Sequence, residues 1–374
     1  MNGRKNIIKG ENEMNKVLQY FKGKFNNQAV VKNIRVYGWQ NEYDHLVISS
    51  LSKYLFEDLK IKENVAPINE TNRPYIIKPK KYVTVHDTGD ASPLHTAKFW
   101  SDAVRNQSWE HKVGEVIPYA CSYQYVVDNE GIYHNIPDEE VAYHAGDGTK
   151  FDYVLYPTGI KAVSDERKVT ISEDGYYEIN NIKTTYKAPR VYRERDGVVL
   201  EDRLPKTSDL NSQGILCKIM NGEYYIGETY YSAGYKLIAN RGGNNNSIGI
   251  ESCITENTDI YYTWQKTAKL VAYLLDNNNL TLDDVKQHHY FSGKNCPQTI
   301  RMNGFWEHFM ELVEFELQMR EFNKEGYTVS FECDDKRVNE VGRIIDMGDK
   351  SPITYKVKTL RNNIEEELEF KLQF

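Results

Sequence analysis

His288 and Cys296 stand eight positions apart in the string Gln287-His288-His289-Tyr290-Phe291-Ser292-Gly293-Lys294-Asn295-Cys296-Pro297. The Ser-Gly-Lys turn between them lets the loop fold back and aim an imidazole and a thiol at one point. That pair of donors is what zinc prefers. Two donors do not make a site, so the fold is constrained further. A distant segment must deliver a third ligand to the same point and leave a fourth position open for water.

At 374 residues the chain exceeds one ordinary core, and two or three domains are expected. A composition 40% hydrophobic and 27% charged reads as soluble and globular. No apolar run approaches the roughly 20 residues of a membrane span. The net charge of −7, with both signs interspersed and no basic stripe, argues against nucleic acid as the main partner. The stretch from Met1 to Lys9 is basic but has no apolar segment behind it, so no signal peptide is visible. A removed leader, or release by host lysis, is compatible with that. The five cysteines (Cys121, Cys217, Cys253, Cys296 and Cys333) have no paired spacing and make a poor disulfide framework. Four read as small buried hydrophobes, whereas Cys296 has a histidine at ligand spacing. Many of the 28 tyrosines fall in strand-like alternations, which suits β-structure more simply than sugar stacking.

Along the chain, residues 1–75 read as an accessory segment, with a helical spacing of apolar residues over Asp44–Leu55 and a Pro- and Asn-rich connection over 66–74. Tyr82-Val83-Thr84-Val85 predicts a buried strand ending at His86, followed by a helix through Ala97, Trp100 and Val104. Tyr123–Val127 predicts a second strand, turning at Asp128–Gly131. Helical periodicity then vanishes over 149–240, where Glu173–Tyr177 and Asn221–Tyr225 mark hairpin-like turns of a β-rich insertion. The scaffold resumes with the strand Ser247–Glu251 and with helices over Thr263–Asn277 and about 304–323. Residues 324–374 carry four strand-like runs, at Tyr327–Phe331, Gly342–Ile345, Thr354–Val357 and Leu368–Leu372, and predict a small β-sandwich. The main domain is therefore expected to span 76–323, as an α/β unit with a central mixed sheet flanked by helices.

Of the nine histidines, the eight other than His288 compete for the third ligand position. His86 is best placed, because it ends a buried strand whose rigid backbone can project it into a cleft. His45 lies outside the scaffold, His95 and His111 lie in or near a helical turn, and His134 follows a strand turn. His144 sits in a glycine-containing loop, which suits a substrate contact better than a rigid ligand. His289, next to the ligand His288, would point away on a strand and is left out.

The ordered set His86-Asp87-Thr88, Ser122–Val127, Tyr143-His144-Ala145-Gly146, Asn246–Glu251 and His288–Pro297 resembles the zinc N-acetylmuramoyl-L-alanine amidases. That family includes phage lysozyme-type amidases and peptidoglycan-recognition proteins. The resemblance covers about 76–148 and 240–318. It implies the amidase/peptidoglycan-recognition fold, Zn2+ on His86, His288 and Cys296, and hydrolysis of the amide between N-acetylmuramic acid and L-alanine of the peptide stem. It further implies a base role for Glu251, with Tyr123 assisting or simply packing and the split between the two left open, and places His144 facing substrate or the oxyanion; Lys294, two residues before Cys296 and so close to the metal along the chain, is a candidate to stabilise the oxyanion. Peptidoglycan is then the partner and the cell wall the site of action, for a bacterial autolysin or a phage lysin alike. About ninety residues replace the family's usual short link after His-Ala-Gly. The C-terminal strands resemble bacterial immunoglobulin-like modules, which implies a spacer or wall-attachment role.

Two other functions share parts of this pattern. A non-catalytic peptidoglycan-binding protein of the same fold typically lacks the metal cysteine, whereas Cys296 and Glu251 are present here. A zinc peptidase or deacylase on another amide shares the chemistry but not the order of the motifs.

Overall fold

The computed structural model describes residues 14–374 apart from 39–40, 70, 107, 113–114, 119–120, 146–154, 165, 167, 189, 196–197, 211–216, 228–242 and 293. Gly146 and Gly293 of the quoted motifs, and parts of the 1–75 segment and of the insertion, therefore lie outside the described residues.

Helix α1 (Lys16–Lys24) leads into an antiparallel hairpin of β1 (Val31–Tyr37) and β2 (Glu42–Ile48). The helical reading of Asp44–Leu55 is corrected here. Tyr43, His45 and Val47 turn inward while Glu42, Asp44 and Leu46 are exposed, a period of two. Pairing with β1, whose Ile34 and Val36 are buried, decided the strand over the helical spacing.

Strands β3 (Ile61–Glu63) and β4 (Tyr82–Asp87) follow, then α2 (Ala97–Asn106), the hairpin β5 (Ser108–Lys112) and β6 (Glu115–Pro118), β7 (Tyr125–Val127) and β8 (Ile132–His134). Among the described residues the insertion holds eight short strands: β9 (Leu155–Lys161), β10 (Val169–Ile171), β11 (Tyr176–Ile179), β12 (Ile182–Lys187), β13 (Val191–Arg195), β14 (Val198–Arg203), β15 (Cys217–Met220) and β16 (Glu223–Gly227). The scaffold returns with α3 (Gly243–Asn246), β17 (Ser247–Ser252), α4 (Ile260–Asn277), β18 (Val285–Gln287), α5 (His288–Ser292), α6 (Gln298–Met302) and α7 (Trp306–Lys324). Strands β19 (Thr328–Glu332), β20 (Ile353–Arg361) and β21 (Ile364–Leu372) come last.

The central sheet has the order β18-β4-β17-β7-β8-β3. β18, β4, β17 and β7 run parallel, and β8 returns antiparallel to β7. Val83, Val85, Ile248 and Ile250 form one face, packed in a core with Trp264, Val271 and Leu274 of α4 and Phe309 and Leu312 of α7. The alternate residues Thr84, His86, Gly249 and Glu251 face the other way. Helix α4 starts three residues before the predicted Thr263, because the Asp259 carboxylate accepts the Tyr262 N–H at 3.0 Å and caps it.

The insertion leaves and re-enters the scaffold at one place. A Cβ on Gly243 would lie 2.3 Å from the Ala145 Cβ, so the residues flanking the insertion are in contact and glycine is needed where they meet. Two small cores of its own, Ile171, Tyr177, Ala188, Val191 and Ile226 in one and Ile179, Cys217 and Tyr224 in the other, hold it together. Asn221 and Gly222 take φ of 52° and 74°, the conformation that a two-residue hairpin turn between β15 and β16 requires. Replacing residues 149–240 with a short glycine-serine linker should therefore leave the unfolding midpoint of the rest within roughly 5 °C. A chain that no longer folds would make the insertion part of the main core.

The C-terminal strands form one antiparallel sheet, β19-β20-β21. Its inner residues Tyr355, Val357, Phe370 and Leu372 share a core with Val17, Leu18 and Phe21 of α1 and with Phe315, Met319 and Phe322 of α7. The predicted strand at Gly342–Ile345 is only a bridge between Val338 and Ile344. Arg343 turns inward there instead. Its guanidinium donates to Asp259, to the Ser50 hydroxyl at 2.8 Å and to the Ile48 carbonyl at 2.9 Å, which pins this segment to the start of α4. No helix among the described residues is long and apolar enough to cross a membrane.

Candidate active site

Sheet register brings the site together. On adjacent parallel strands, Gln287 of β18 pairs with Val85 of β4, and His86 of β4 pairs with Glu251 of β17. One residue past β18, His288 reaches the level of His86. Residues from three remote segments thus stand in a row at the carboxyl ends of parallel strands, where open α/β sheets form their crevices.

Cys296 reaches the same point by the expected fold-back. The His289 N–H donates to the Cys296 carbonyl at 3.0 Å, and the Cys296 N–H to the Lys294 carbonyl at 2.7 Å. His289 lies in α5, not on a strand, so its backbone bond closes the loop. His86 Nδ1 is 3.1 Å from His288 Nδ1 and 3.7 Å from Cys296 Sγ, and one donor atom of each residue lies within 4.8 Å of the others. All three side chains are buried.

The opposite nitrogen of His86, Nε2, meets His144 Nδ1 at 2.9 Å. His144 is buried behind His86, and its ring stands edge-on to the His86 ring. Two devices hold it there. The Asn244 side-chain oxygen accepts the N–H groups of His144 and Ala145 at 2.8 and 2.7 Å. Gly249 of β17 leaves the space beneath, since a Cβ there would come 2.6 Å from the imidazole. A histidine so placed can fix the ring and tautomer of His86.

Glu251 Oε1 lies 3.8 Å from His86 Nδ1, and its Oε2 makes no hydrogen bond among the described residues. Burial pushes its carboxyl up to about 8; Lys294 pulls it down and Asp87 adds a smaller upward push. Burial works against the charge of Lys294 too, but Cys296, Glu251, Cys121 and Asp87 around it hold the ammonium above its usual value. Burial, then neighbouring cationic groups and imidazoles, hold His86 and His288 well below the ordinary histidine value, and burial first of all pushes the Cys296 thiol up. The metal-free pocket is therefore built of neutral imidazoles, a thiol and a reluctant carboxylate, and a bound cation would invert that balance for the thiol and the carboxylate.

Tyr123 lies beside α2. Its hydroxyl donates to the Trp100 carbonyl at 3.1 Å, and its ring packs with Trp100, Val104 and Val126 beside α2. Val126 pairs with Glu251, so Tyr123 lies three residues back from that level along the chain. Asp87 had no role in the sequence reading, although it adjoins His86. It is buried against the loop after Cys296, and its Oδ2 accepts the Thr299 N–H at 2.7 Å. The five cysteines are all free thiols, Cys217, Cys253 and Cys296 buried and Cys121 and Cys333 half-buried.

A mixed α/β sheet brings two imidazoles and a thiol together at its strand ends, a donor group that could hold a metal ion. The sequence profile of the N-acetylmuramoyl-L-alanine amidase family matches residues 77–299, and the chain belongs to that family. The N-acetylmuramoyl-L-alanine amidase CwlH of Bacillus subtilis (strain 168) is 32% identical over 89 residues, which is 24% of this chain and 32% of that protein. CwlA of the same organism is 36% identical over 78 residues, 20% of this chain and 29% of the relative. The matched part thus spans about a third of the length of these curated relatives. Among solved structures, the catalytic domain of XlyA is 18% identical, with a TM-score of 0.38 over 68% of this chain and 99% of that one.

Proposed function

We propose that this protein is a zinc-dependent peptidoglycan hydrolase that cleaves the amide between N-acetylmuramic acid and L-alanine of the stem peptide. The observation that carries the reading is the convergence of His86, His288 and Cys296 within 4.8 Å, with Glu251 at the edge of the same row. The donor set fits zinc: two imidazoles held neutral, the form that ligates, and one sulfur. Three protein donors leave a fourth position for water or substrate.

Zinc, when bound, supplies Lewis acidity that polarises an amide carbonyl and acidifies water. The other steps belong to the chain. Glu251, with one oxygen unbonded among the described residues and a raised affinity for protons, takes a proton from the attacking water and returns it to the leaving amine. Lys294, cationic and beside the donor loop, faces the negative charge that develops on the carbonyl oxygen. His144 holds His86 in its ligating orientation, and Tyr123 serves the packing against α2. The division at 76 and 323 is proposed for the catalytic unit, whose sheet is extended at one edge by β3 of the preceding segment, with the insertion as a wall of the substrate cleft. The segments around α1 and β19–β21 share one core and act as a buttress, to which the wall-attachment role implied by the immunoglobulin-like resemblance would be added. The site of action is then the cell wall.

Digestion of purified peptidoglycan, with mass analysis of the soluble products, tests the reaction. Stem peptides with a free N-terminal L-alanine are expected. Products cut within the glycan or within the peptide would overturn the assignment of the bond.

A further inference from the structure

Asp87 carries a link between two parts of the centre that are far apart in sequence. It follows His86 on β4, and its Oδ2 accepts the Thr299 N–H at 2.7 Å. Thr299 stands three residues past Cys296. The strand bearing one donor is thereby tied to the chain just beyond another. Cys296 Sγ lies 3.9 Å from the Asp87 carbonyl oxygen and 4.0 Å from Oδ1, so the sulfur is confined between His86 and Asp87. From the far side, Thr299 Oγ1 accepts the Tyr37 N–H of β1 at 3.3 Å. Asn303 holds the same hairpin: its side chain accepts the Arg35 N–H at 3.3 Å and donates to the Arg35 carbonyl at 2.8 Å. The segment after Cys296 is gripped from both sides, and Asp87 is the side chain that reaches it from the donor strand.

We propose that Asp87 is a positioning residue that fixes the Cys296 sulfur relative to His86 and thereby sets the affinity of the centre for zinc. The inference rests on the zinc reading above. A donor on a loop loses affinity when it can drift, because the cost of ordering it then falls on the binding step. Asp87 does not touch water or substrate in this scheme. It acts through the Thr299 N–H and the chain leading back to Cys296.

Two variants of the full chain separate this role from simple stabilisation. Asp87→Asn keeps an oxygen that can accept the Thr299 N–H, whereas Asp87→Ala does not, and both remove the charge. Zinc competition against a chelating dye is expected to show Asp87→Ala weakened about 10- to 100-fold and Asp87→Asn within about threefold of the parent. In the metal-free proteins, alkylation of Cys296 followed by mass spectrometry is expected to run about five- to tenfold faster in Asp87→Ala than in Asp87→Asn. Equal zinc affinity in parent and Asp87→Ala, or equal Cys296 labelling in the two variants, would overturn the role even if Asp87→Ala unfolds at lower temperature. A parent chain that takes up no zinc would sink the functional reading instead, and the labelling comparison would still decide the positioning of Cys296.

Discussion

Cys296→Ser is expected to strip the protein of zinc and of nearly all wall-lysing activity. The thiol is the one donor of the three that becomes anionic on ligation, and sulfur is the softest of them. A serine hydroxyl is close in size, so the buried pocket is not emptied, but it does not ionise to ligate near neutral pH. His86 and His288 then remain as two imidazoles 3.1 Å apart at Nδ1, too few donors to retain the ion. Metal content after gel filtration and the clearing rate of a cell-wall suspension read the two effects, with circular dichroism as the control for folding. A variant that keeps both zinc and lysis would remove Cys296 from the ligand set. Loss of lysis with full zinc content would give the sulfur a role other than ligation.

Glu251→Gln is expected to keep zinc and slow turnover by roughly two orders of magnitude or more. Glutamine preserves the shape and an oxygen near His86 but cannot carry a proton between water and the leaving amine. A near-normal rate would move proton transfer away from Glu251. The same substitution has a second signature in the metal-free protein. The Glu251 carboxyl is raised from 4.5 to about 8, chiefly by burial. The folded state thus keeps a proton that the unfolded state releases. That contribution is fully present below about pH 4.5 and is lost as pH rises towards about 8. The buried histidines, held neutral, act below the ordinary histidine value and with the opposite sign, and Asp87, raised to about 6, releases its proton lower still. Between pH 6.5 and 8 the parent should therefore lose about 2 kcal/mol of stability relative to Glu251→Gln. Denaturant unfolding in the presence of chelator measures it, and parallel pH profiles for the two chains would show that Glu251 is not perturbed in this way.

Local pattern carried much of this protein. The strand endings at His86 and Glu251, the helix through Ala97, Trp100 and Val104, and the insertion hairpin at Asn221-Gly222 follow from alternation, periodicity and turn chemistry within a few residues. Where the reading failed, a distant partner was in control. The stretch from Asp44 became a strand because β1 offered it a ladder, and Gly342–Ile345 lost its strand because Arg343 found acceptors on Asp259, Ser50 and Ile48.

The site divides in the same way. Sequence by itself determined the donor types, and it determined the fold-back that links His288 to Cys296, because an eight-residue loop with a glycine turn is a local object. The strand end also singled out His86 as the third donor, but only the tertiary structure set it beside His288 and decided what surrounds it. His86 and His288 are 202 residues apart, and it is the parallel pairing of β18, β4 and β17 that makes them neighbours, with Glu251 next in the row. That His144 meets His86 where Gly249 leaves room, and that the Tyr123 hydroxyl donates to the Trp100 carbonyl, is likewise not legible in the motifs that carry these residues. Spacing along a chain constrains atoms a loop apart; across a sheet, register and the room left by a missing Cβ set the distances, and neither is written in any one segment.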